Sequence, residues 1–180
     1  MRKFIFIVLI FISSPCFADN FRIRSESWRD GTTMDNTFVL DGFGCHGNNM
    51  SPQVGWTGAP DGTRSFAVTL FDPDAPTGSG WWHWTVFNIP ADNMELKAGA
   101  GSLSGRLPVQ AVQGRTDFGQ PGYGGACPPA GNKPHRYILT VYALKVDKID
   151  LDANASGAML SFYLKQQSLA EDFLTVYYGR

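Results

Sequence analysis

Asp72, His83, His135 and Tyr137 have the side-chain types and the local spacing to build a small polar pocket. Asp72 opens the turn Asp72-Pro73-Asp74-Ala75-Pro76, and His83 lies in the aromatic run Gly80-Trp81-Trp82-His83-Trp84. His135 and Tyr137 flank Arg136, and the stretch Tyr123-Gly124-Gly125-Ala126-Cys127-Pro128-Pro129 precedes them. Imidazole and phenol donors, with backbone N–H groups freed by glycines, suit a phosphate or a carboxylate. A carboxylate such as Asp72 can orient one imidazole or hold it protonated. Trp81, Pro128 and Pro129 would cover the apolar part of a ligand, giving a mostly apolar site with a few polar anchors. Each feature alone has an ordinary explanation. Asp before Pro forms turns, a histidine at a strand start can be bonded into a core, and clustered tryptophans mostly pack. Their joint occurrence makes the pocket.

These residues need elements to bring them together, and the sequence supplies strands. Phe21-Arg22-Ile23-Arg24 alternates apolar and polar residues, as a half-buried strand does. Runs 65–71, 83–89 and 136–144 are rich in β-branched and aromatic residues and are bounded by Pro, Gly, Asn or Asp. The polar residues sit at the ends of these runs. If the strands are neighbours, the residues meet at one sheet end, where binding loops on a rigid scaffold commonly lie. The pattern predicts a mostly β fold, a sandwich or a barrel. No strand–helix alternation supports a doubly wound fold. One helix is expected near the end, with Ala155, Ala158, Met159, Phe162 and Tyr163 as its buried stripe and Asp152 or Asn154 as its cap. Thr175 to Tyr178 is expected as a short edge segment. The stretch 98–105 is expected as a surface loop. The Gly/Pro-rich stretch 113–134 is expected as an ordered functional loop, because it also holds Phe118, Tyr123 and Cys127.

Composition narrows the function classes. The 180 residues are 43% hydrophobic and 17% charged, which supports one packed domain and excludes a disordered chain. Fifteen basic residues balance 16 acidic ones, so the basic excess of a nucleic-acid binder is missing. Arg2 and Lys3, the apolar run Phe4 to Ile12 and the small-residue exit at Ala18 form a secretory signal peptide, residues 1–18. A lipoprotein anchored at Cys16 is the competing reading, and Pro15 argues against it. The apolar run is too short for a permanent span, so no stable membrane insertion is expected. Losing Arg2 and Lys3 takes the formal charge from −1 to −3. The remaining chain, 19–180, is expected as a single exported domain, periplasmic or secreted. In that compartment Cys45 and Cys127 are a disulfide candidate, with a redox pair or a metal site as alternatives.

The blocks Asp72-Pro73-Asp74-Ala75-Pro76, Gly80-Trp81-Trp82-His83-Trp84 and Cys127-Pro128-Pro129-Ala130-Gly131 with His135-Arg136-Tyr137 resemble the phosphatidylethanolamine-binding protein family. The likeness runs from about Phe21 to Tyr177 and points to its bacterial Raf-kinase-inhibitor-like branch, the YbhB/YbcL type, as an exported member. The resemblance implies two antiparallel sheets with peripheral helices and a pocket for phosphate-like groups, including phospholipid head groups. It implies that Asp72, His83, His135 and Tyr137 form that pocket, with Pro128, Pro129 and Trp81 at its wall and rim and Tyr123 and Gly125 in its lining loop. A homodimer is also compatible with the family. Arg136, on the opposite strand face by alternation, is expected to be structural. Cys127 departs from the small residue common at its position, and a bond to Cys45 would tether the pocket loop.

Three functions follow as expectations. The first is non-catalytic binding of a small anion or phosphorylated ligand, with no cofactor. The second is a protein-interaction or inhibitory role, docking a partner at the pocket. The third is a hydrolase using Asp72 with His83 or His135. No G-x-S-x-G, S-x-x-K or H-E-x-x-H motif supports that third reading. A metal variant with Asp72, Asp74 and the two histidines lacks tight ligand spacing.

Overall fold

The β-branched and aromatic runs become three of the four longest strands of a computed structural model, which describes residues 20–102 and 104–180. In chain order the strands are β1 (Arg22–Arg24), β2 (Asp41–Gly42), β3 (Cys45–His46), β4 (Val54–Thr57), β5 (Ser65–Asp72), β6 (Trp81–Pro90), β7 (Glu95–Leu96), β8 (Val112–Gln113), β9 (His135–Leu144) and β10 (Ser168–Tyr178). One helix, α1 (Gly157–Gln167), lies between β9 and β10. A five-stranded sheet has the order β10-β9-β5-β6-β8, a three-stranded sheet the order β1-β4-β7, and β2-β3 is a separate hairpin. Every named strand pair is antiparallel. The chain is therefore mostly β, with antiparallel sheets and a helix near its C-terminus, as the sequence predicts. The signal peptide expected at 1–18 lies outside the described residues. No helix among the described residues is long and apolar enough to cross a membrane.

The main core joins the two larger sheets. Phe66, Val68 and Leu70 of β5, Trp84 of β6 and Leu139 of β9 pack with Phe21, Val54, Trp56 and Leu96. Ala67, Phe87 and Leu144 belong to a second core, completed by Leu160 and Leu164 of α1. The sheet centre is thus covered on both faces, which is why β5 reads as a continuous apolar run rather than an alternating one. Each fully buried Leu or Phe contributes about 1.5–3 kcal/mol.

The helix exists, but its buried face is a correction to the sequence reading. Gly157, Leu160 and Leu164 are buried, whereas Met159 and Phe162 are 50% and 61% exposed. A side chain at Gly157 would overlap the Trp82 ring, so the packed face is marked by the smallest residue rather than by the large ones. The cap is Ser156, whose hydroxyl accepts from Met159 N at 3.2 Å. Asp152 instead accepts from Asn154 N in the preceding turn.

β10 is longer than the expected segment, and its free edge is covered over Thr175 to Tyr177. Gly31 N donates to Thr175 O at 2.8 Å, and Tyr177 N donates to Thr32 O at 2.9 Å, which hides backbone groups that would otherwise template association. The loop 98–105 is only partly at the surface. Ala100 and Gly101 are buried, and a Cβ on Gly101 would come within 2.9 Å of Ser51, Tyr123 and Trp84 atoms. Cys45 and Cys127 are joined in a disulfide, the first of the alternatives expected for them. The bond links the β2-β3 hairpin to the loop before β9 across 82 positions. Chain entropy assigns such a closure about 4.5 kcal/mol.

Candidate functional site

Antiparallel pairing puts the end of β5 beside the start of β6 and the start of β9. Asp72 faces Trp81 in the β5-β6 ladder, and Phe71 faces Ile138 in the β5-β9 ladder. Asp72 Oδ2 accepts from His135 Nδ1 at 2.8 Å, and Asp72 Oδ1 accepts from Asp74 N at 2.8 Å. Both carboxylate oxygens are engaged, and the Nδ1–H of the imidazole is oriented at Asp72.

His83 is placed by a register shift. Leu70 faces Trp84 while Phe71 faces Trp82, which leaves His83 as the extra residue of a β-bulge. Bulges re-aim side chains next to functional sites. The loop before β9 satisfies the bulged backbone: Gly124 N donates to His83 O at 2.9 Å, and Asp117 N donates to Trp82 O at 3.0 Å. His83 Nδ1 donates to Gly124 O at 2.8 Å, which leaves Nε2 as the variable nitrogen. Burial lowers the His83 pKa below its ordinary value, opposed by that carbonyl and by Asp72. The unliganded imidazole is therefore held toward its neutral form.

These groups surround a cavity of about 200 Å³. Asp72, His83, His135 and Tyr137 line it, with Trp81, Pro128 and Pro129 in its walls. The His83 ring meets Tyr137 edge-on at 5.1 Å and Phe118 at 5.4 Å. Tyr137 Oη and Trp81 Nε1 are buried, and neither has a hydrogen-bond partner among the described residues. Burying such a group unpaired costs about 1–3 kcal/mol. Burial also raises the Tyr137 pKa, so the phenol keeps its proton as a donor.

Not every expected residue reaches the cavity. The Tyr123 ring meets Trp84 at 5.9 Å and its hydroxyl donates to Phe38 O at 2.7 Å; the residue is not in the lining of this cavity. Gly125 N donates to Asn49 Oδ1 at 2.7 Å, and any side chain there would overlap the Phe38 carbonyl. Both residues dock the loop rather than line the pocket. Asp74 turns outward to Arg136, matching the structural role expected of that arginine. No cluster of three His, Cys, Asp or Glu among the described residues could hold a metal ion. The sequence reading missed Phe43, Phe118, Pro76 and Thr77 in the lining. Phe118 carried a signal, an aromatic in a Gly/Pro-rich loop, but Phe43 carried none. Arg180 was missed too. Its guanidinium donates to Pro128 O at 2.7 Å and to Gly44 O at 2.9 Å, tying the β2-β3 hairpin to the loop before β9.

The fold and site define a class: an antiparallel β protein with a small pocket of buried donors at the end of its large sheet. The sequence model of the family described as phosphatidylethanolamine-binding protein matches residues 24–179, and the chain belongs to that family. It is 51% identical to the UPF0098 protein YbcL of Escherichia coli over 95% of this chain and 94% of the relative. It is 48% identical to the UPF0098 protein YbhB of the same organism over 88% of this chain and 99% of the relative. The crystal structure of E. coli YbcL, described as a new member of the mammalian PEBP family, superposes with a TM-score of 0.87 over 89% of this chain and 98% of that one.

Proposed function

We propose that the protein is an exported, non-catalytic binder of a small phosphate-like anion, taken free or as the head group of a phosphorylated ligand such as a phospholipid. One observation carries the reading: Tyr137 and Trp81 are lining residues of the cavity, and their donors, Tyr137 Oη and Trp81 Nε1, are buried with no acceptor among the described residues. An anion gives both an acceptor and lets His83 Nε2 gain a proton and become a third donor. The family's name supports the ligand class, and the leader-like start of the sequence together with the disulfide supports export.

The Asp72–His135 pair also fits a general base, which favours a hydrolase as the second reading. Covalent catalysis finds no free Ser, Thr or Cys among the described lining residues, so this reading would need the pair to activate water. Cys127 is disulfide-bonded, and Thr77 Oγ1 donates to Gly80 O at 2.6 Å.

The test is calorimetric titration with phosphate and phosphoethanolamine, beside Tyr137→Phe and His135→Ala. Removing the unpartnered hydroxyl should leave the empty protein as stable or more so, while weakening the anion. A Tyr137→Phe protein that binds phosphate as the parent does overturns the reading. Phosphatase turnover that disappears in His135→Ala would replace it with the hydrolase.

A further inference from the structure

A second concavity adjoins the pocket. It is a solvent-open groove of about 750 Å³, and it shares Phe43 and Phe118 with the pocket as a common wall. The two rings lie 5.9 Å apart. At about 200 Å³ the pocket is smaller than the roughly 300–1,000 Å³ usual for a ligand site, and the groove falls within that range. The groove is an adjoining place for the remainder of a ligand anchored by its phosphate in the pocket.

The groove's chemistry specifies that remainder. Asp41, Ser102, Ser104 and Gln120 bring carboxylate, hydroxyl and amide groups to its walls, and Phe43 and Phe118 bring aromatic faces. Among the described lining residues there is no Lys, Arg or His, so a second anionic group is disfavoured. Aromatic faces opposite short polar groups match a ring or chain that is apolar on one side and hydroxylated at its edge.

Phe43 supplies an independent observation. It occupies the two-residue turn of the β2-β3 hairpin with Gly44, at φ values of 51° and 79°. Such turns favour Asn-Gly, because the first position is strained for a bulky side chain. Phe43 holds that backbone while 80% exposed. The neighbouring disulfide at Cys45 and the Arg180 contact to Gly44 O keep it there. Strain retained under such restraint, with a large aromatic left in solvent, points to a surface built for contact.

We propose that this groove is a second subsite, and that the ligand is a phosphate ester of an uncharged hydroxylated group, a sugar or polyol. The inference rests on the phosphate pocket described above. The phosphate fixes the ester in the pocket, and the hydroxylated part then binds the groove as an intramolecular event. The aromatic wall between them discriminates esters that carry such a group from bare phosphate.

The experiment titrates the full chain with inorganic phosphate, glucose 6-phosphate and glucose. Glucose 6-phosphate should bind at least about tenfold more tightly than inorganic phosphate. The paired change Gln120→Ala with Ser102→Ala, and separately Phe43→Asn, should each shrink that ratio toward one. Phe43→Asn suits the turn, so its fold is secure. Phosphate that binds with a ratio near one in the parent overturns the subsite and leaves the pocket standing. A ratio untouched by both groove changes overturns it as well. Absence of phosphate binding overturns the pocket reading, and the subsite with it. Vesicles of phosphatidylglycerol that displace glucose 6-phosphate place the ester in a lipid head group, and vesicles that do not place it in a free ester.

Discussion

Asp72 and Asp74 stand two residues apart in one turn, and their partners His135 and Arg136 are consecutive on one strand, yet the two pairs live in different solvents. The side chains of His135 and Asp72 are 5% and 3% exposed, and those of Arg136 and Asp74 are 49% and 32% exposed. Strand alternation causes the split. Successive residues of β9 point to opposite sides, so His135 turns into the cavity and Arg136 out of it. The inner pair faces a low dielectric, where losing a partner is costly. The outer pair faces water, where the same attraction is screened. The turn therefore has an inner half built for a ligand and an outer half that fastens β9 to the end of β5.

The largest test of that division is His135→Ala. It strands the buried Asp72 carboxylate, and removing one member of a buried pair costs about 3–5 kcal/mol. Urea unfolding of the variant should show that loss. Arg136→Ala should leave the unfolding midpoint near that of the parent. Equal losses for the two variants would erase the distinction.

The inner half has a second fastening that the outer half lacks. Cys127 and its disulfide stand in the cavity wall beside Pro128 and Pro129. Replacing Cys45 and Cys127 together with alanine should cost about 2–4 kcal/mol, read as a lower melting temperature. Phosphate affinity should fall with it, while the Asp74–Arg136 contact, which lies outside the cavity lining, should tolerate the change.

Next in size is a pH effect confined to the inner half. Burial holds the His83 pKa below its ordinary value, so an anion that needs the imidazolium must bring a proton with it. Affinity for sulfate, whose own charge is constant here, should fall by up to about tenfold per pH unit as pH rises between about 5 and 8. His83→Gln should flatten the profile. A sulfate affinity that is flat with pH in the parent would remove His83 from the binding step.

How much of this was legible in the residues follows the same inner and outer logic. The central strands β5, β6 and β9 were legible because β-branched runs bounded by Gly and Pro encode them directly, whereas the two-residue strands, β4 and most of β10 were not. The Asp72, His83, His135 and Tyr137 set was legible as a resemblance of motifs, and the outward turn of Arg136 was legible from alternation. The His83 bulge was not legible, because a register shift depends on the partner strand. Tyr123 was legible as part of the loop beside the pocket, but the turn of its side chain toward Phe38 and Trp84 was not. The helix face misled because packing there is set by Gly157 against Trp82, and size-weighted periodicity overlooks a glycine. Phe43 was invisible because nothing local marks a strained turn residue that works by being exposed.

The smallest effect belongs to the outer pair and has a defined pH window. Arg136's hydrogen bond holds the Asp74 carboxyl down from 3.8 to about 2. A carboxyl with a depressed folded-state pKa contributes its stability above the unfolded value, and loses it as pH falls toward the folded one. The Asp74 contribution should therefore be intact above about pH 4 and vanish by about pH 2, and salt should weaken it throughout. Comparing Asp74→Asn with the parent by denaturant unfolding across that range measures it. The gap between the two should be small at neutral pH and close on acidification. A gap that widens as pH falls would mean that Asp74 is stabilised by something other than its charge, and the outer half of the turn would no longer differ in kind from the inner.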